Sequence, residues 1–337
     1  MMNATDGMLE ADRLEVLVLV DNVSDGLSLN PPDVESELGR LWRTGRMRSL
    51  GGSCLCCAAH GLSCAIVAWR GDTARTLLFD TGPEADVFER NVARTGFDIG
   101  SIDAMVLSHG HWDHAGAMPR ALELIRGGDA SRTVPTYMHP GMHASRALKA
   151  ADGSMRPMDD VPSREALAAA GASLVYETRP QVLLDGLFYL SGEIPRKTTF
   201  ELGFPAQHRL AEDGSWEPDP WLMDERFVAV RVRDRGVVVF TACSHAGVVN
   251  VMAHARDCFP GEAMHAVLGG FHLAGPTESA IAQTVEGLRP FGLERIVPAH
   301  CTGWRATCAL VTAFGDAVVP SAVGKTFRFG SATSACA

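Results

Sequence analysis

Four side chains able to bind a metal ion lie within six residues of one another. His109, His111, Asp113 and His114 form the pattern His-x-His-x-Asp-His. Neutral imidazole and carboxylate are ligands suited to Zn²⁺, and also to Fe or Mn. Residues two apart in an extended segment face the same side, so His109 and His111 are predicted to bind one metal while Asp113 and His114 turn toward a neighbouring position. The spacing therefore predicts a metal site with one or two ions.

The residues around this motif predict the local structure that positions it. Residues 101–107 form a short apolar run typical of a strand, and residues 116–126 favour a helix. The ligands are therefore expected on a strand-to-helix loop, where the backbone can bend and direct several side chains inward. A structural zinc site would normally recruit pairs of cysteines, and the motif contains none.

Further histidines follow predicted strands. His245 comes after the apolar residues 236–241 and His300 after residues 294–298, and layered α/β folds place functional groups at such strand ends. We interpret both as metal ligands. His272 ends a similar strand after two glycines that permit close backbone approach, and it is predicted to face the substrate or an accessory metal. His60 is a weaker candidate for the same role.

The motif carries a family resemblance. Ser-His-Gly-His-Trp-Asp-His-Ala-Gly at 108–116, preceded by Leu-Leu-Phe-Asp-Thr-Gly at 77–82, resembles the signature of the metallo-β-lactamase superfamily, and the resemblance runs over about residues 14–330. It implies an α/β (α+β) fold, a four-layer αββα sandwich. Shorter segments resemble the subgroup typified by the archaeal dihydropterin ribofuranosylaminobenzene phosphate synthase of methanopterin biosynthesis, many of whose members look like hydrolases: 60–63, 191–196, 242–247, 268–273 and 298–303.

The chain also departs from the superfamily pattern. By resemblance, His300 matches the last histidine ligand, and His245 lies near the place of a bridging aspartate that this chain lacks. Most members have a histidine between the first loop and the bridge, where this chain offers Glu193. Glu193 is interpreted as a metal ligand, as a substrate-orienting group, or as a structural carboxylate paired with Arg196, which is itself a candidate for substrate binding. Asp80 is predicted to orient a ligand histidine.

The chemistry predicted from these residues is hydrolysis at a metal. Bound Zn²⁺ brings the pKa of water from about 15.7 to near 7, and a second ion polarises a carbonyl or phosphoryl oxygen. Asp113 would be both a ligand and the catalytic residue that orients the nucleophile or accepts its proton. The expected substrate is a small ester, lactone, thioester or phosphoester (EC 3). The synthase resemblance implies an alternative, a transferase (EC 2.5) joining a dihydropterin-methyl pyrophosphate to an arylamine ribofuranosyl phosphate with loss of pyrophosphate.

The composition of the chain limits the kinds of molecule that it is expected to bind. The formal charge of −10 argues against a nucleic acid or an anionic membrane surface as the main partner. It leaves room for an anionic small substrate, because metal ions, Arg196 or Lys325 would supply positive charge. No apolar run approaches the roughly 18 residues of a membrane span, and residues 1–12 are polar and acidic, unlike a secretory signal. A cytoplasmic protein is expected, and the resemblance is compatible with a homo-oligomer.

Nine cysteines are an odd number for a disulfide framework in a chain expected to be cytoplasmic. Most are interpreted as small buried hydrophobic residues. Cys54, Cys56 and Cys57 form one cluster, which is interpreted as reduced and structural rather than as a metal site, because no second pair lies at zinc-finger spacing.

The predicted organisation is a single domain over residues 14–330 with two excursions. Two sheets between outer helices are expected, and a helix is predicted over 141–150. The first excursion, residues 24–53, includes a predicted helix near 34–42. The second, residues 197–224, contains three prolines and little periodicity, and it is predicted to be an irregular loop that forms a lid or a substrate-binding wall.

Overall fold

Two β-sheets form the centre of the fold, and most of their strands coincide with apolar runs of the sequence. The structure is a computed structural model that describes residues 5–330. Residues 1–4 of the N-terminal stretch and Cys336 lie outside the described residues. The first sheet has seven strands, in the order Gln181–Leu183, Phe188–Leu190, Val228–Val232, Gly236–Phe240, Met264–Gly270 and Arg295–Ala299, with Glu10–Ala11 paired to Val228–Val232.

The second sheet has eight strands, six of which come from the first half of the chain. Its order is Ala172–Tyr176, Val134–Met138, Ala104–Val106, Thr73–Phe79, Ser63–Arg70, Arg13–Val20, Thr326–Gly330 and Val34–Glu35. The last five residues of Arg13–Val20 are all buried, as expected for a continuous apolar strand covered on both faces.

The two sheets face each other across one apolar core, and helices cover their outer faces. Phe79 of the second sheet and Phe240 and Leu268 of the first are at most 1% exposed in that core. The first sheet packs against helices Val248–Cys258, Ile281–Leu288 and Trp304–Phe314. The second packs against helices Ala85–Thr95, Met118–Arg126 and Arg164–Ala170. The predicted four-layer αββα sandwich is confirmed.

Shorter elements complete the chain. The remaining α-helices are Glu37–Arg43 and Trp112–Ala115. The 3₁₀-helices are Gly52–Cys54, Ile99–Ser101, Pro140–His143, Gly275–Ala280, Arg289–Phe291, His300–Thr302 and Gly315–Ala317. None of the helices in residues 5–330 combines the length and the apolar character that crossing a bilayer requires.

The predicted helix over 141–150 is wrong. After Pro140–His143 the chain enters strand Arg146–Lys149, which pairs with Gln207–Leu210 in a small four-stranded sheet. That sheet is completed by Met155–Pro157 and Trp216–Pro218, so the segment 197–224 is not wholly irregular either. Local helix propensity is a weak signal that pairing with a strand some sixty residues away overrides.

The excursion at residues 24–53 returns to the second sheet. Val34–Glu35 pairs with Thr326 and Phe327, and the helix that follows is close to the one predicted. Ser36 caps this helix by accepting a hydrogen bond from the Gly39 amide, and the Glu37 carboxylate accepts one from Cys56. Burial raises the pKa of the Cys56 thiol. The strand pairing and the Glu37–Cys56 bond attach the excursion to the second sheet and to the cysteine cluster that follows it.

The core between the sheets is expected to dominate stability. Leu268→Ala should lower the free energy of unfolding by about 2–5 kcal/mol, because it removes methyl groups from a site that is 1% exposed. Leu29→Ala is the matched control, since Leu29 is fully exposed and should change stability by less than about 0.5 kcal/mol. Urea denaturation followed by circular dichroism measures both. Equal losses in the two variants would contradict this account of the core.

Candidate metal centre

Three parallel strands end beside the predicted metal motif. Gly236–Phe240, Met264–Gly270 and Arg295–Ala299 are parallel neighbours, so their carboxyl ends lie at one edge of the first sheet. His245, His272 and His300 follow these ends. Strand Ala104–Val106 of the second sheet delivers the motif to the same place, with helix Trp112–Ala115 inside it. The four motif residues are buried, none more than 7% exposed.

Three histidines form the first donor triad, a group in which each residue offers one atom that could bind a metal ion. Ring nitrogens of His109, His111 and His245 lie within 4.8 Å of one another, and His109 Nε2 is 3.0 Å from His111 Nδ1. Both ring nitrogens of His245 are buried without a hydrogen-bond partner among the described residues. Burial lowers the pKa of all three imidazoles, that of His111 to about 4. Neutral rings with converging lone pairs are suited to a metal ion.

A second group surrounds Asp113. Its Oδ2 lies 3.7 Å from His114 Nε2 and 3.3 Å from His300 Nε2. Burial would raise the pKa of Asp113, but His114 and His300 outweigh it and hold the carboxyl well below its usual range. Burial lowers the pKa of His114, but Asp113 and Asp80 together raise it to about 9. The same negative charge favours a metal cation at this position.

Cys243 lies between the two groups and was missed as a site residue. Its Sγ is 3.3 Å from His114 Nε2, and with His109 and His114 it forms another donor triad. His245 was expected near the bridging position, but the structure groups it with His109 and His111. The left-handed turn at Ser244, with φ 55°, separates the directions of residues 243 and 245. The signal available in the sequence was a Cys-x-His pair that begins three residues after a strand.

Asp80 holds two of the predicted ligands. Its Oδ2 lies 2.7 Å from His114 Nδ1 and accepts a hydrogen bond from Ser108 Oγ at 2.7 Å, while Oδ1 accepts one from the Ser108 amide. Ser108 Oγ is in turn 2.9 Å from His109 Nδ1. Partners on Nδ1 leave Nε2 of both rings for a metal. This is the geometry that the predicted orienting role of Asp80 requires.

Asn22, not singled out in the sequence, links two other histidines. Its Oδ1 is 2.9 Å from His300 Nδ1, and its Nδ2 is 3.1 Å from His60 Nδ1. His60 Nε2 lies 3.4 Å from Asp113 Oδ2, and the His60 side chain is 58% exposed. His60 therefore lies at the open side of the Asp113 group, where substrate would enter.

His272 lies beside the first triad and a second cysteine. Its ring centroid is 4.4 Å from that of His245, and it forms a donor triad with His245 and Cys243. Cys301 Sγ is 3.3 Å from Cys243 Sγ. Burial raises the pKa of the Cys301 thiol, but Cys243, His300 and His272 together lower it well below its usual range. The metal centre is thus rich in sulfur on the side of the first sheet.

Three predicted contributors lie away from these triads. Glu193 is exposed and pairs with His139 at 3.2 Å, not with Arg196 as one interpretation required. Arg196 donates to the carbonyls of Ile194, Trp221 and Leu222. Lys325 is buried and donates to Asp25 and to the Pro320 carbonyl. The hydrogen-bond and ion-pair partners of these three residues could not be predicted from the residues next to them in the sequence.

Four residues of the centre have left-handed backbone, which costs energy for residues other than glycine. They are Asp80, Ser244, His272 and His300, with φ between 43° and 59°. Each immediately follows or lies close after a strand end. The turns reverse the chain at the sheet edge and bring the side chains into one cluster.

The cluster opens into a cleft of about 390 Å³. Its walls combine the metal-centre histidines with apolar and aromatic side chains: Trp112, Leu148, Met158 and Phe204. Arg196 and Lys325 are not among the described residues that line it. The predicted contribution of these two side chains to positive charge at the cleft is therefore not seen in its lining.

The family model for the metallo-beta-lactamase superfamily matches residues 61–300. The chain belongs to the metallo-beta-lactamase superfamily. Metal binding follows from this membership, and the residues present fit it: two converging imidazole groups, a carboxylate, and buried ring nitrogens on His245 that have no partner within residues 5–330. The predicted superfamily resemblance is confirmed.

Superfamily relatives include both a synthase and a hydrolase. The chain is 27% identical to the 7,8-dihydropterin-6-methyl-4-(beta-D-ribofuranosyl)-aminobenzene-5'-phosphate synthase of Methanocaldococcus jannaschii, over 80% of this chain and 90% of the relative. The solved structure of Tm1679, described as a metal-dependent hydrolase, superposes with a TM-score of 0.69 at 22% identity, covering 95% of this chain and 99% of that one. YhfI from Bacillus subtilis superposes with a TM-score of 0.51 at 14% identity, covering 94% and 100%.

If each of the two donor groups binds one ion, removing a ligand from either group should lower the metal content of the protein by about one equivalent. Protein purified without added metal or chelator should contain about two equivalents, the number typical of binuclear hydrolytic sites. His245→Ala and His300→Ala should each retain about one, since each removes a ligand from a different group. His143→Ala is the matched control, because His143 contacts Tyr176 outside the centre. Elemental mass spectrometry measures the content, and an unchanged value in His245→Ala would contradict the first triad.

Removing the charge of Asp80 should weaken metal binding without removing a ligand. Asp80→Asn leaves one acceptor oxygen where the carboxylate has two, so the contacts to His114 and Ser108 cannot all persist. Loss of such a partner typically lowers metal affinity by about 10- to 100-fold. Zinc competition with a chromogenic chelator measures it. Asp103→Asn, at a carboxylate that accepts from the Thr76 amide, should leave the affinity unchanged.

Proposed function

We propose that the protein is a hydrolase that uses one or two zinc ions, with Mn or Fe as alternatives, to cleave an ester, lactone, thioester or phosphoester. The observation that carries the proposal is the pair of donor groups around Asp113 and His245 at the floor of one cleft. His109, His111 and His245 would hold one ion. Asp113, His114 and His300 would hold the other, with Cys243 between them.

The bound ions supply water activated at neutral pH and an electrophile for the substrate oxygen. The chain itself supplies orientation and proton transfer. Asp113 Oδ2 faces both His300 and the open side of the cleft at His60. We therefore assign Asp113 the catalytic role of orienting the nucleophile and accepting its proton. The His60 ring is exposed and lines the same cleft. We therefore assign His60 to contact substrate.

The cleft walls favour a substrate with both a reactive polar group and apolar parts. Trp112, Leu148 and Met158 form apolar surface around the histidines. Such a lining binds a small organic molecule by burying its apolar surface, while a few polar groups fix its orientation.

The expectation that the protein forms a homo-oligomer stays a prediction.

A second candidate function rests on the synthase relative. The similarity covers 90% of that enzyme, so a transferase reaction that expels pyrophosphate from a dihydropterin-methyl pyrophosphate in favour of an arylamine is the alternative. It predicts pyrophosphate release only when the arylamine acceptor is present. Release that is independent of the acceptor, with water as the sole nucleophile, would exclude it.

The hydrolase proposal predicts that activity depends on the first triad. His109→Ala should lower the turnover of activated esters or phosphodiesters by at least about 100-fold, because it removes a buried metal ligand. Release of p-nitrophenol from p-nitrophenyl acetate and from bis(p-nitrophenyl) phosphate measures this. His143→Ala should keep the wild-type rate. Equal activity in His109→Ala and wild type would rule out hydrolysis at this metal centre.

A further inference from the structure

A second cavity adjoins the cleft on the far side of two metal-centre histidines. It has a volume of about 150 Å³ and shares His245 and His272 with the cleft as lining residues. Apolar side chains dominate its remaining walls: Phe200, Leu202, Pro205, Phe271, Leu273 and Ala280. A space of this size lined by hydrocarbon is large enough for a ligand of about six carbon atoms.

Phe204 stands between the two spaces. Its ring stacks on His245 at a centroid distance of 5.7 Å and an angle of 14°, and it meets His272 edge-on at 4.9 Å. Its neighbours Gly203 and Pro205 line the second cavity, whereas Phe204 lines the cleft. The two spaces therefore meet at Phe204, His245 and His272, and a molecule that extends from the metal centre into the cavity has to pass these side chains.

The wall formed by residues 200–205 is anchored to the fold. The Glu201 carboxylate accepts hydrogen bonds from the amides of Val249 and Asn250, each at 2.8 Å, and from Thr198 Oγ1. Gly247, with φ 92°, leaves room for this carboxylate, because a Cβ there would overlap it. The cavity is thus a built feature, with a wall held at the start of helix Val248–Cys258.

Besides ring nitrogens of His245 and His272, one polar group of the cavity wall has no partner among the described residues. Thr284 is 1% exposed, lines the cavity, and its Oγ1 makes no hydrogen bond there. The Glu201 carboxylate, by contrast, has its acceptors occupied. Away from the two histidines, the cavity therefore offers a ligand mainly apolar contact.

We propose that this cavity is the subsite for the apolar part of the substrate, a hydrocarbon group of about six carbons attached to the group that reacts at the metals. The placement of the reacting group rests on the proposed function. The cavity itself does not. The structure therefore assigns residues 200–205 and Gly275–Ala280 to substrate selection, and the metal centre to chemistry.

Binding of straight-chain carboxylates to the zinc-loaded protein separates the contribution of the cavity from that of the metal centre. Acetate, butanoate, hexanoate and decanoate are titrated by calorimetry, the carboxylate standing in for the reacting group. Each added methylene should raise affinity by about fourfold until the cavity is filled near hexanoate, and decanoate should gain little more. A flat series in the wild type would overturn the proposal.

Variants assign the effect to the cavity. Ala280→Phe fills the space and should bring hexanoate affinity to within about twofold of acetate, with acetate unchanged. Ala282→Phe, exposed on helix Ile281–Leu288, is the matched control and should keep the wild-type slope. An unchanged slope in folded Ala280→Phe would also overturn the proposal.

Two further variants keep the result interpretable. Thr284→Val removes the unpartnered hydroxyl with little change in shape, so hexanoate should bind several-fold more tightly and acetate equally; weaker hexanoate binding would count against an apolar subsite. His109→Ala should weaken all four carboxylates by the same factor and keep the slope. Failure of the proposed metal chemistry thus changes the common offset, whereas failure of the subsite changes the slope.

Discussion

Two adjacent buried carboxylates fix the positions of the two loops that carry the predicted metal ligands. Asp224 Oδ2 accepts hydrogen bonds from the Gly110 amide at 2.9 Å and from Arg146 at 3.0 Å. Glu225 accepts from the amide of His245 at 2.7 Å and from the next amide at 2.6 Å. An unpaired buried carboxylate would cost several kcal/mol, so these charge-assisted bonds fix both loops together. The first and second sheets thereby present their ligands to one point.

This fixation explains why so many imidazoles are tolerated in one buried cluster. Burial lowers the pKa of His109, His111 and His245, so they carry little charge to repel one another. Their cost is instead unpaired ring nitrogens, as on His245, and that cost is relieved by a metal ion. On the other side of Cys243, the negative charge of Asp113 and Asp80 balances a cation. The hydrogen bonds and charges of the chain itself therefore hold these side chains in an arrangement that fits a metal ion.

Sequence patterns predicted the parts of this arrangement that depend on neighbouring residues. The 109–114 motif, the strand before it and helix Met118–Arg126 follow from local periodicity and spacing. The position of His245 depended on the turn at Ser244, which no pattern of residue types reveals. Strand Arg146–Lys149 depended on pairing with a distant segment, and Cys243 depended on which side chain that turn directs between the two groups. Long-range contacts and left-handed turns were the missing information.

The segment 197–224 links metal geometry to the proposed substrate space. Gln207 Oε1 lies 2.7 Å from His111 Nε2, on the side of that ring away from His109 Nε2. Phe204, three residues earlier, stacks on His245 and separates the cleft from the second cavity. Both contacts come from one stretch of chain anchored through Glu201 and the strand Gln207–Leu210. A change in this stretch that reshapes the cavity would also displace partners of two ligand histidines, so selection of substrate and orientation of the metal ligands are physically coupled.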